Sequence, residues 1–224
     1  MATMERTSDT VVPGPAVVGA TVVPRWEWRA FERTFAAPPP VEGATGSQVA
    51  GEREETYLLS LLSPHNVKIR DGQLEIKRLV RADASGLEQW CPLLKRPFPI
   101  GVDALTAACE AWGLPAPADG RPIRSLAELL QTVVVPHRQL RIVTMAKRRI
   151  PVTVAGCHGE RGQITVAGHR WNTVSFEDAD PARVLAALRE LKLDPAANEN
   201  YPRALKRILG LPDHSSVPPK EARC

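Results

Sequence analysis

The sequence predicts an α+β fold in which about eight strands form an antiparallel sheet or barrel, with helices inserted and appended. Two observations lead to this prediction. Runs in which apolar and polar residues alternate recur along most of the chain, and many are separated by short turn signals. Runs with the apolar spacing of helices are fewer, and they lie in the middle and near the end of the chain.

The first strand candidate is RWEWRAFERTF, which begins at Arg25. Its alternation forms two faces, one with Trp26, Trp28 and Ala30 and the other with Arg25, Glu27, Arg29 and Phe31. The Pro/Gly/Ala-rich stretch 36–51 is predicted to be a loop, and EETYLLS (54–60) follows it as the second strand candidate.

The stretch VKIRDGQLEIKRLV (67–80) predicts a tight hairpin, because Asp71-Gly72 suits a two-residue turn with positive φ. This turn fixes the register, so that Lys68 faces Glu75 across the hairpin. The hairpin then has one apolar face and one charged face: Val67, Ile69, Leu74 and Ile76 on the first, and Lys68, Arg70, Glu75 and Lys77 on the second.

Four further strand candidates follow: GLEQWCPLLKR (86–96), RQLRIVTMAKRRIPVTV (138–154), GQITVAG (162–168) and NTVSFED (172–178). In the longest of them Val143, Met145, Lys147 and Arg149 share a face. Terminal signals bound the helices: Gly113 ends the first, Ser125 and Glu128 form a capping box for the second, Asp180 with Pro181 starts the third, and Asn200 and Gly210 bound the last.

A chain of 224 residues fits one large domain or two small ones, and the predicted strands and helices lie within residues 24–211, with a helical insertion at 97–135. Flexible tails are expected at 1–23 and 212–224. The apolar and charged fractions, 43% and 24%, are ordinary for a soluble globular protein. Neither a signal peptide nor a membrane span is predicted, no cysteines have zinc-ligand spacing, and the cytoplasm is the expected compartment.

The net charge of +4 suits an anionic ligand but does not by itself indicate nucleic acid. An antiparallel sheet normally turns its charged face toward solvent. Charged faces recur on strand after strand in this sequence, however, and the faces opposite them are apolar. If helices cover the apolar faces, the charges point into a barrel interior. The like charges of such an interior repel one another when no ligand is bound, and they suit a polyanion with bound cations.

The order and character of these segments resemble the CYTH (triphosphate tunnel metalloenzyme) family across residues 24–211. VKIRDGQLEIKR resembles the basic hairpin of the family, and KRRIPVTVAGCHGERGQITVAGHRWNTVSFED resembles its later half. The closing stretch ALRELKLDPAANENYPRALKRILG resembles its terminal helices. The resemblance implies a closed eight-stranded antiparallel barrel, a tunnel with basic residues for a triphosphate and acidic residues for a divalent metal.

One departure from the family concerns its opening strand, which carries a Glu-x-Glu-x-Lys signature. The matching residues of this chain are Glu27, Arg29 and Phe31. Arg29 cannot ligate a cation, although a guanidinium can clamp a phosphate through two hydrogen bonds. Glu54 or Glu55 would replace the lost carboxylate if EETYLLS lay beside the first strand.

The resemblance implies a role for each site residue. Catalytic carboxylates are Glu27 and Glu177; ligands of Mg²⁺ or Mn²⁺ are Glu27, Glu75, Glu160 and Glu177; phosphate-binding groups are Arg29, Lys68, Arg70, Lys77, Lys147 and Arg149. The expected ligand is a triphosphate-containing small molecule or polyphosphate, and neither nucleic acid nor a membrane is expected as a partner.

Three functions stay open from the sequence. The first is a metal-dependent triphosphate hydrolase, or an adenylate-cyclase-like enzyme if a ribose hydroxyl attacks instead of water. The second is a barrel that binds phosphate-rich ligands without turning them over. The third is a protein-interaction module with a degenerate tunnel. For this last function a basic stripe on the terminal helix is the candidate surface, although a solvated helix face is the favoured interpretation; the stripe consists of Arg203, Lys206 and Arg207.

Overall fold

The computed structural model describes residues 23–33, 50–116 and 120–214. The strands are β1 (Arg25–Glu32), β2 (Ala50–Ser60), β3 (Asn66–Arg70), β4 (Gln73–Ala82), β5 (Glu88–Pro97), β6 (Leu140–Val154), β7 (Cys157–Val166) and β8 (His169–Asp178). All neighbouring strands are antiparallel, and they close into a barrel in the order β1-β5-β4-β3-β2-β6-β7-β8. The predicted α+β barrel is therefore confirmed.

Four helices accompany these strands within the described residues. They are α1 (Val102–Trp112), α2 (Leu126–Leu129), α3 (Pro181–Glu190) and α4 (Tyr201–Ile208). A π-helical turn continues α2 over Leu130–Val134, and a 3-10 turn at Pro195–Ala197 precedes α4. Each predicted terminal signal acts as expected: Gly113 is left-handed at φ 72°, and the side chains of Ser125, Asp180 and Asn200 accept from backbone N–H groups of their helices.

The hairpin between β3 and β4 has the predicted register. Lys68 pairs with Glu75 and Ile69 with Leu74, and the turn residues Asp71 and Gly72 have φ values of 50° and 69°. Positive φ at both turn positions matches the right-handed twist of the two strands. The charged and apolar residues of the hairpin therefore lie on the opposite faces that the sequence predicts.

Helices cover the outward apolar faces of the barrel. The outward residues of the β3–β4 hairpin pack with α1, including Trp112, whose indole N–H donates to the carbonyl of Leu58 at 2.9 Å. On the other side, Trp26 and Trp28 of β1 pack with Val184 and Leu188 of α3. Because these helices occupy the outer faces, the charged residues that alternate with the apolar ones face the barrel interior.

Helix α4 fills one end of that interior. Its buried residues Tyr201 and Leu205 pack with inward-facing apolar residues of the strands, which are Phe31, Tyr57, Leu59, Val143, Met145, Ile164 and Val166. Phe31, at the Lys position of the family signature, packs edge-on against the Tyr201 ring with 4.9 Å between ring centroids. The barrel is therefore closed at this end by an apolar layer, which we call the floor of the cavity.

Ion pairs attach α4 to its surroundings, and they correct the prediction of a solvated basic stripe at one residue, Lys206. Lys206 is buried, and its Nζ lies 3.1 Å from Asp213 and 3.2 Å from the carbonyl of Ser63. Arg203 pairs with Glu88, and Arg207 pairs with Glu199. The side chains of Arg203 and Arg207 are 45% and 46% exposed, as the interpretation of a solvated helix face predicts, whereas Lys206 is buried and departs from it.

Residues 1–22, most of the predicted loop 36–51 and residues 215–224 lie outside the described part of the chain, so most of the predicted tails do too. Every helix within residues 23–33, 50–116 and 120–214 is too short or too polar to span a lipid bilayer.

Candidate functional site

The barrel interior above α4 holds a cavity of about 890 Å³. All ten site residues predicted from the sequence line it: Glu27, Arg29, Lys68, Arg70, Glu75, Lys77, Lys147, Arg149, Glu160 and Glu177. Six of these side chains are cationic and four are anionic, so the cavity has an excess of positive charge. Alternation turns each of them inward from its strand, and closure of the barrel brings the strands around one cavity.

The charged residues differ in depth. The side chains of Lys147 and Arg29 are only 6% and 9% exposed, whereas those of Lys77 and Glu177 are 42% and 40% exposed. We call the buried region around Lys147 and Arg29 the inner zone and the region around Lys77 and Glu177 the mouth. A charge in the inner zone has lost most of its hydration and depends on its neighbours for compensation.

Arg29 links two carboxylates of the inner zone. Its Nε donates to Glu27 at 3.2 Å, and its Nη1 donates to Thr173 at 3.2 Å and lies 3.6 Å from Glu160. The guanidinium also lies 4.6 Å from the ring centroid of Tyr201. Burial alone would lower the pKa of Arg29, but Tyr201 and the two carboxylates raise it above its usual value. Arg29 is therefore a fixed positive charge in the interior.

Glu160 is the second centre of the inner zone. Lys147 Nζ lies 2.8 Å from its Oε1, and Arg149 Nη1 lies 3.4 Å from its Oε2. Burial would raise the pKa of Glu160, but Arg29, Lys147 and Arg149 together lower it to about 2. The carboxylate is thus ionised throughout the physiological range and orients three cations.

A further buried ion pair, Glu55 with Lys68, lies on the wall formed by β2 and β3. Glu55 accepts from Lys68 Nζ at 2.8 Å and from the Tyr57 hydroxyl at 3.3 Å. Burial lowers the pKa of Lys68 to about 8, although Glu55 opposes the shift. Glu55 compensates the basic wall, but it does not replace the missing carboxylate of β1, because β1 pairs with β5 and β8 and β2 lies elsewhere in the barrel.

Glu177 lies at the mouth, and Glu27 connects it to the inner zone. Glu27 and Glu177 are cross-strand partners on β1 and β8, and Lys77 Nζ lies 3.9 Å from one and 4.0 Å from the other. Burial would raise the pKa of Glu27, but Lys77 and Arg29 lower it below its usual value. Glu75 accepts from Arg70 at 2.7 Å and lies 3.1 Å from Lys95.

The carboxylates do not form a preformed cage for a divalent cation. Among the described residues no three His, Cys, Asp or Glu side chains are grouped closely enough to hold a metal ion. Glu75 and Glu160 each have more than one cationic neighbour within 4 Å. Glu27 and Glu177 fit a more limited arrangement, in which Mg²⁺ takes one or two carboxylates from the protein and its other ligands from substrate phosphates and water.

Sequence reasoning missed several residues of the cavity wall, among them Tyr57, Asn66, His158 and Tyr201. Tyr201 follows directly after the helix cap Asn200, so the sequence indicated that it begins a helix. Nothing in the sequence indicated that this helix enters the barrel. The inward alternation of β2 was the one signal that could have placed Tyr57.

Among the solved structures, six chains match this one. No protein-family model matches this chain, and no curated protein matches it. The chain is similar to a crystal structure from Bacillus halodurans described as a "putative adenylate cyclase", with a TM-score of 0.40 and 11% sequence identity. The match covers 83% of this chain and 98% of that one. At this level of similarity the fold assignment rests on the strand pairing described above.

Proposed function

We propose that the barrel interior binds a compact, phosphate-rich anion, either a triphosphate-containing small molecule or a short polyphosphate. The observation that carries the proposal is the convergence of six cationic side chains from β1, β3, β4 and β6 on one cavity. Against these six cations stand the four lining carboxylates and Glu55 behind the wall, so a bound anion would balance the remaining positive charge. The resemblance of the sequence to the CYTH family supports the same class of ligand.

The arrangement of the cations suits phosphate in particular. Arg70 and Arg149 present guanidinium groups, which can donate two parallel hydrogen bonds to one phosphate. Lys68 and Lys77 add compact ammonium charges from the neighbouring strands. A ligand that spans the cavity would accept hydrogen bonds that the cations now donate to the carboxylates. The same carboxylates keep the cations oriented toward the cavity.

Triphosphate hydrolysis is the second candidate function, and the cross-strand pair of Glu27 and Glu177 favours it. If Mg²⁺ or Mn²⁺ enters with the ligand, these two carboxylates would hold it, and the ion would polarise the terminal phosphoryl group. Lys77 lies between the two carboxylates and would neutralise charge on the phosphoryl oxygens. Glu75 and Glu160, also expected to be metal ligands, are assigned instead to orienting the cations that surround them.

Two measurements on the same protein separate these functions. Calorimetric titration with tripolyphosphate measures binding, and release of inorganic phosphate from tripolyphosphate and ATP measures turnover, each with Mg²⁺, Mn²⁺ or EDTA. Binding in EDTA without release would support a binding module, and metal-dependent release would support a hydrolase. The absence of both would contradict the proposal and leave the protein-interaction alternative.

Two substitutions test the assignment of roles. If the protein is a hydrolase, Glu177→Gln is expected to reduce turnover far more than tripolyphosphate affinity, because the carboxylate acts on the metal ion and the transition state. Lys77→Ala is expected to weaken both, since the ammonium contacts the ligand throughout. Equal effects of the two substitutions on turnover and binding would contradict these roles.

A further inference from the structure

Tyr201 has an unusual place in the cavity. It is the first residue of α4, it is 6% exposed, and it lines the cavity from the floor. Its hydroxyl is buried and has no hydrogen-bond partner among the described residues. A buried hydroxyl without a partner costs free energy, so a ligand group that accepts a hydrogen bond from it would remove that cost.

The other tyrosine of the cavity wall provides a contrast. Tyr57 lies 5.4 Å from Tyr201 between ring centroids, but its hydroxyl already donates to Glu55 at 3.3 Å. The two phenols therefore differ in hydrogen bonding although they are neighbours in the same cluster. Of the two hydroxyls, that of Tyr201 is the one without a hydrogen-bond partner among the described residues.

Two cations flank Tyr201 and have donors to spare. Arg29 and Lys147 lie 4.6 and 5.0 Å from the ring centroid. Arg29 uses Nε and Nη1 in its contacts with Glu27, Thr173 and Glu160, and no contact within the described part of the chain uses its Nη2. Lys147 directs one contact to Glu160, which leaves further N–H groups on its ammonium.

The charges of the inner zone nearly cancel. Glu27 and Glu160 neutralise Arg29 and Lys147. On the walls, the four cations Lys68, Arg70, Lys77 and Arg149 outnumber the three carboxylates Glu55, Glu75 and Glu177. The walls therefore supply the attraction for a polyanion. The inner zone contributes hydrogen-bond donors in a fixed arrangement, which is the property that discriminates between chemical groups.

We propose that Tyr201, Arg29 and Lys147 form an end-group subsite for the terminal phosphate of a linear phosphate chain. Because α4 fills the end of the barrel, a chain cannot pass through it and must enter with one end leading. A terminal phosphate has three non-bridging oxygens, which match three donors, whereas a phosphate within a chain or ring has two. The protein thus selects ligands with a free terminal phosphate. This inference rests on the proposed function.

The test compares linear tripolyphosphate with cyclic trimetaphosphate, which has no terminal phosphate, in calorimetric titrations with EDTA present. Wild type is expected to prefer the linear compound. Tyr201→Phe removes one oxygen and is expected to weaken tripolyphosphate binding roughly tenfold while changing trimetaphosphate binding less than about twofold. The ratio of the two affinities reports on the subsite, and a general disturbance of the barrel would move both affinities together.

Trp171→Phe is the matched control. Trp171 packs in the same cluster, and its indole nitrogen is also buried without a partner in the described residues, but it does not line the cavity. Trp171→Phe is expected to leave the ratio of the two affinities unchanged. An unchanged ratio in Tyr201→Phe would overturn the end-group subsite and leave the proposed function standing. Failure of wild type to bind either compound would overturn both.

Discussion

Arg29 joins Glu27 on β1 to Glu160 on β7 inside the barrel, with its side chain 9% exposed. Its charge is permanent, because the pKa of Arg29 is raised above an already high value by its neighbours despite the cost of burial. This charge helps to lower the pKa values of both carboxylates. Through these two contacts Arg29 connects β1 and β7 inside the barrel.

Arg29→Met tests that role, since Met keeps much of the volume and removes the charge. The free energy of unfolding is expected to fall by about 3–5 kcal/mol, because the change leaves two buried carboxylates without their guanidinium. Arg25→Met is the control: Arg25 pairs with Glu177 at 3.2 Å on the exposed rim, and its loss is expected to cost less than about 1 kcal/mol. Urea denaturation at pH 7 measures both, and equal losses would contradict the account of Arg29.

The lowered pKa of Glu160 predicts a specific dependence of stability on pH. The folded-state pKa of about 2 lies below the ordinary value of 4.5, so the stabilisation is complete above pH 4.5 and is lost as the pH falls toward 2. Relative to wild type, Glu160→Gln is expected to lose about 3 kcal/mol at pH 7 and less than about half of that at pH 3.

Urea denaturation at the two pH values checks this expectation. Glu52→Gln is the control, because Glu52 forms an exposed pair with Arg148 at 3.5 Å. Its cost is expected to stay below about 1 kcal/mol at both pH values. A Glu160→Gln deficit that does not shrink at pH 3 would show that the ion pairs of Glu160 are not what stabilises the interior.

Among the elements, α4 has the largest effect on the site, because it makes the floor of the cavity. Asn200 begins the helix: its Oδ1 accepts from the Arg203 N–H at 2.9 Å, and its Nδ2 lies 3.0 Å from both oxygens of Glu88. Glu88 is 3% exposed and also pairs with Arg203. One asparagine thus caps the helix and attaches it to β5.

Asn200→Ala is therefore expected to cost more than the loss of an ordinary helix cap. The cap accounts for about 1 kcal/mol, and the buried Glu88 loses a donor at a further cost of about 1–3 kcal/mol. Asp180→Ala removes the corresponding cap of α3, an exposed bond from Ala182 N–H at 2.9 Å, and is expected to cost about 1 kcal/mol. Thermal denaturation compares the two, and hydrogen exchange in α4 should accelerate only in Asn200→Ala. Equal costs would contradict the attachment of α4 through Glu88.

At the scale of elements, local sequence patterns predicted most of the fold. The Asp71-Gly72 turn, the inward alternation of the strands and the four helix boundaries are local properties, and each has the predicted form. The neighbours of a strand in a closed barrel are not local. The sequence therefore gave no basis for excluding Glu55 as a partner of Glu27, and only the strand order separates them.

The position of α4 likewise could not be predicted from local sequence patterns. Its cap and its end were predictable, but its entry into the barrel depends on apolar residues contributed by five strands, β1, β2, β6, β7 and β8. For that reason the burial of Lys206 and the place of Tyr201 on the cavity floor could not be predicted. The charged residues of the site could be predicted, because alternation places most of them on one face of their strands and the family resemblance implied that this face is the inner one.

For the molecule as a whole, the distribution of charge on the two sides of the barrel wall is the central feature. Lys147 and Arg148 are neighbours in β6, yet Lys147 faces the cavity and is 6% exposed, while Arg148 is 59% exposed. A ligand in the interior would contact the first and not the second. A ligand on the outer surface would show the opposite dependence, so this pair of residues separates the two cases.

The most direct measurement is calorimetric titration of wild type, Lys147→Ala and Arg148→Ala with tripolyphosphate in EDTA. Binding to wild type is expected to weaken as salt increases, since exposed and partly exposed charges are screened. Lys147→Ala is expected to reduce the affinity roughly tenfold or more, and Arg148→Ala less than about twofold. Equal affinities in all three proteins, or no binding to any of them, would contradict the claim that the barrel interior binds a phosphate-rich anion.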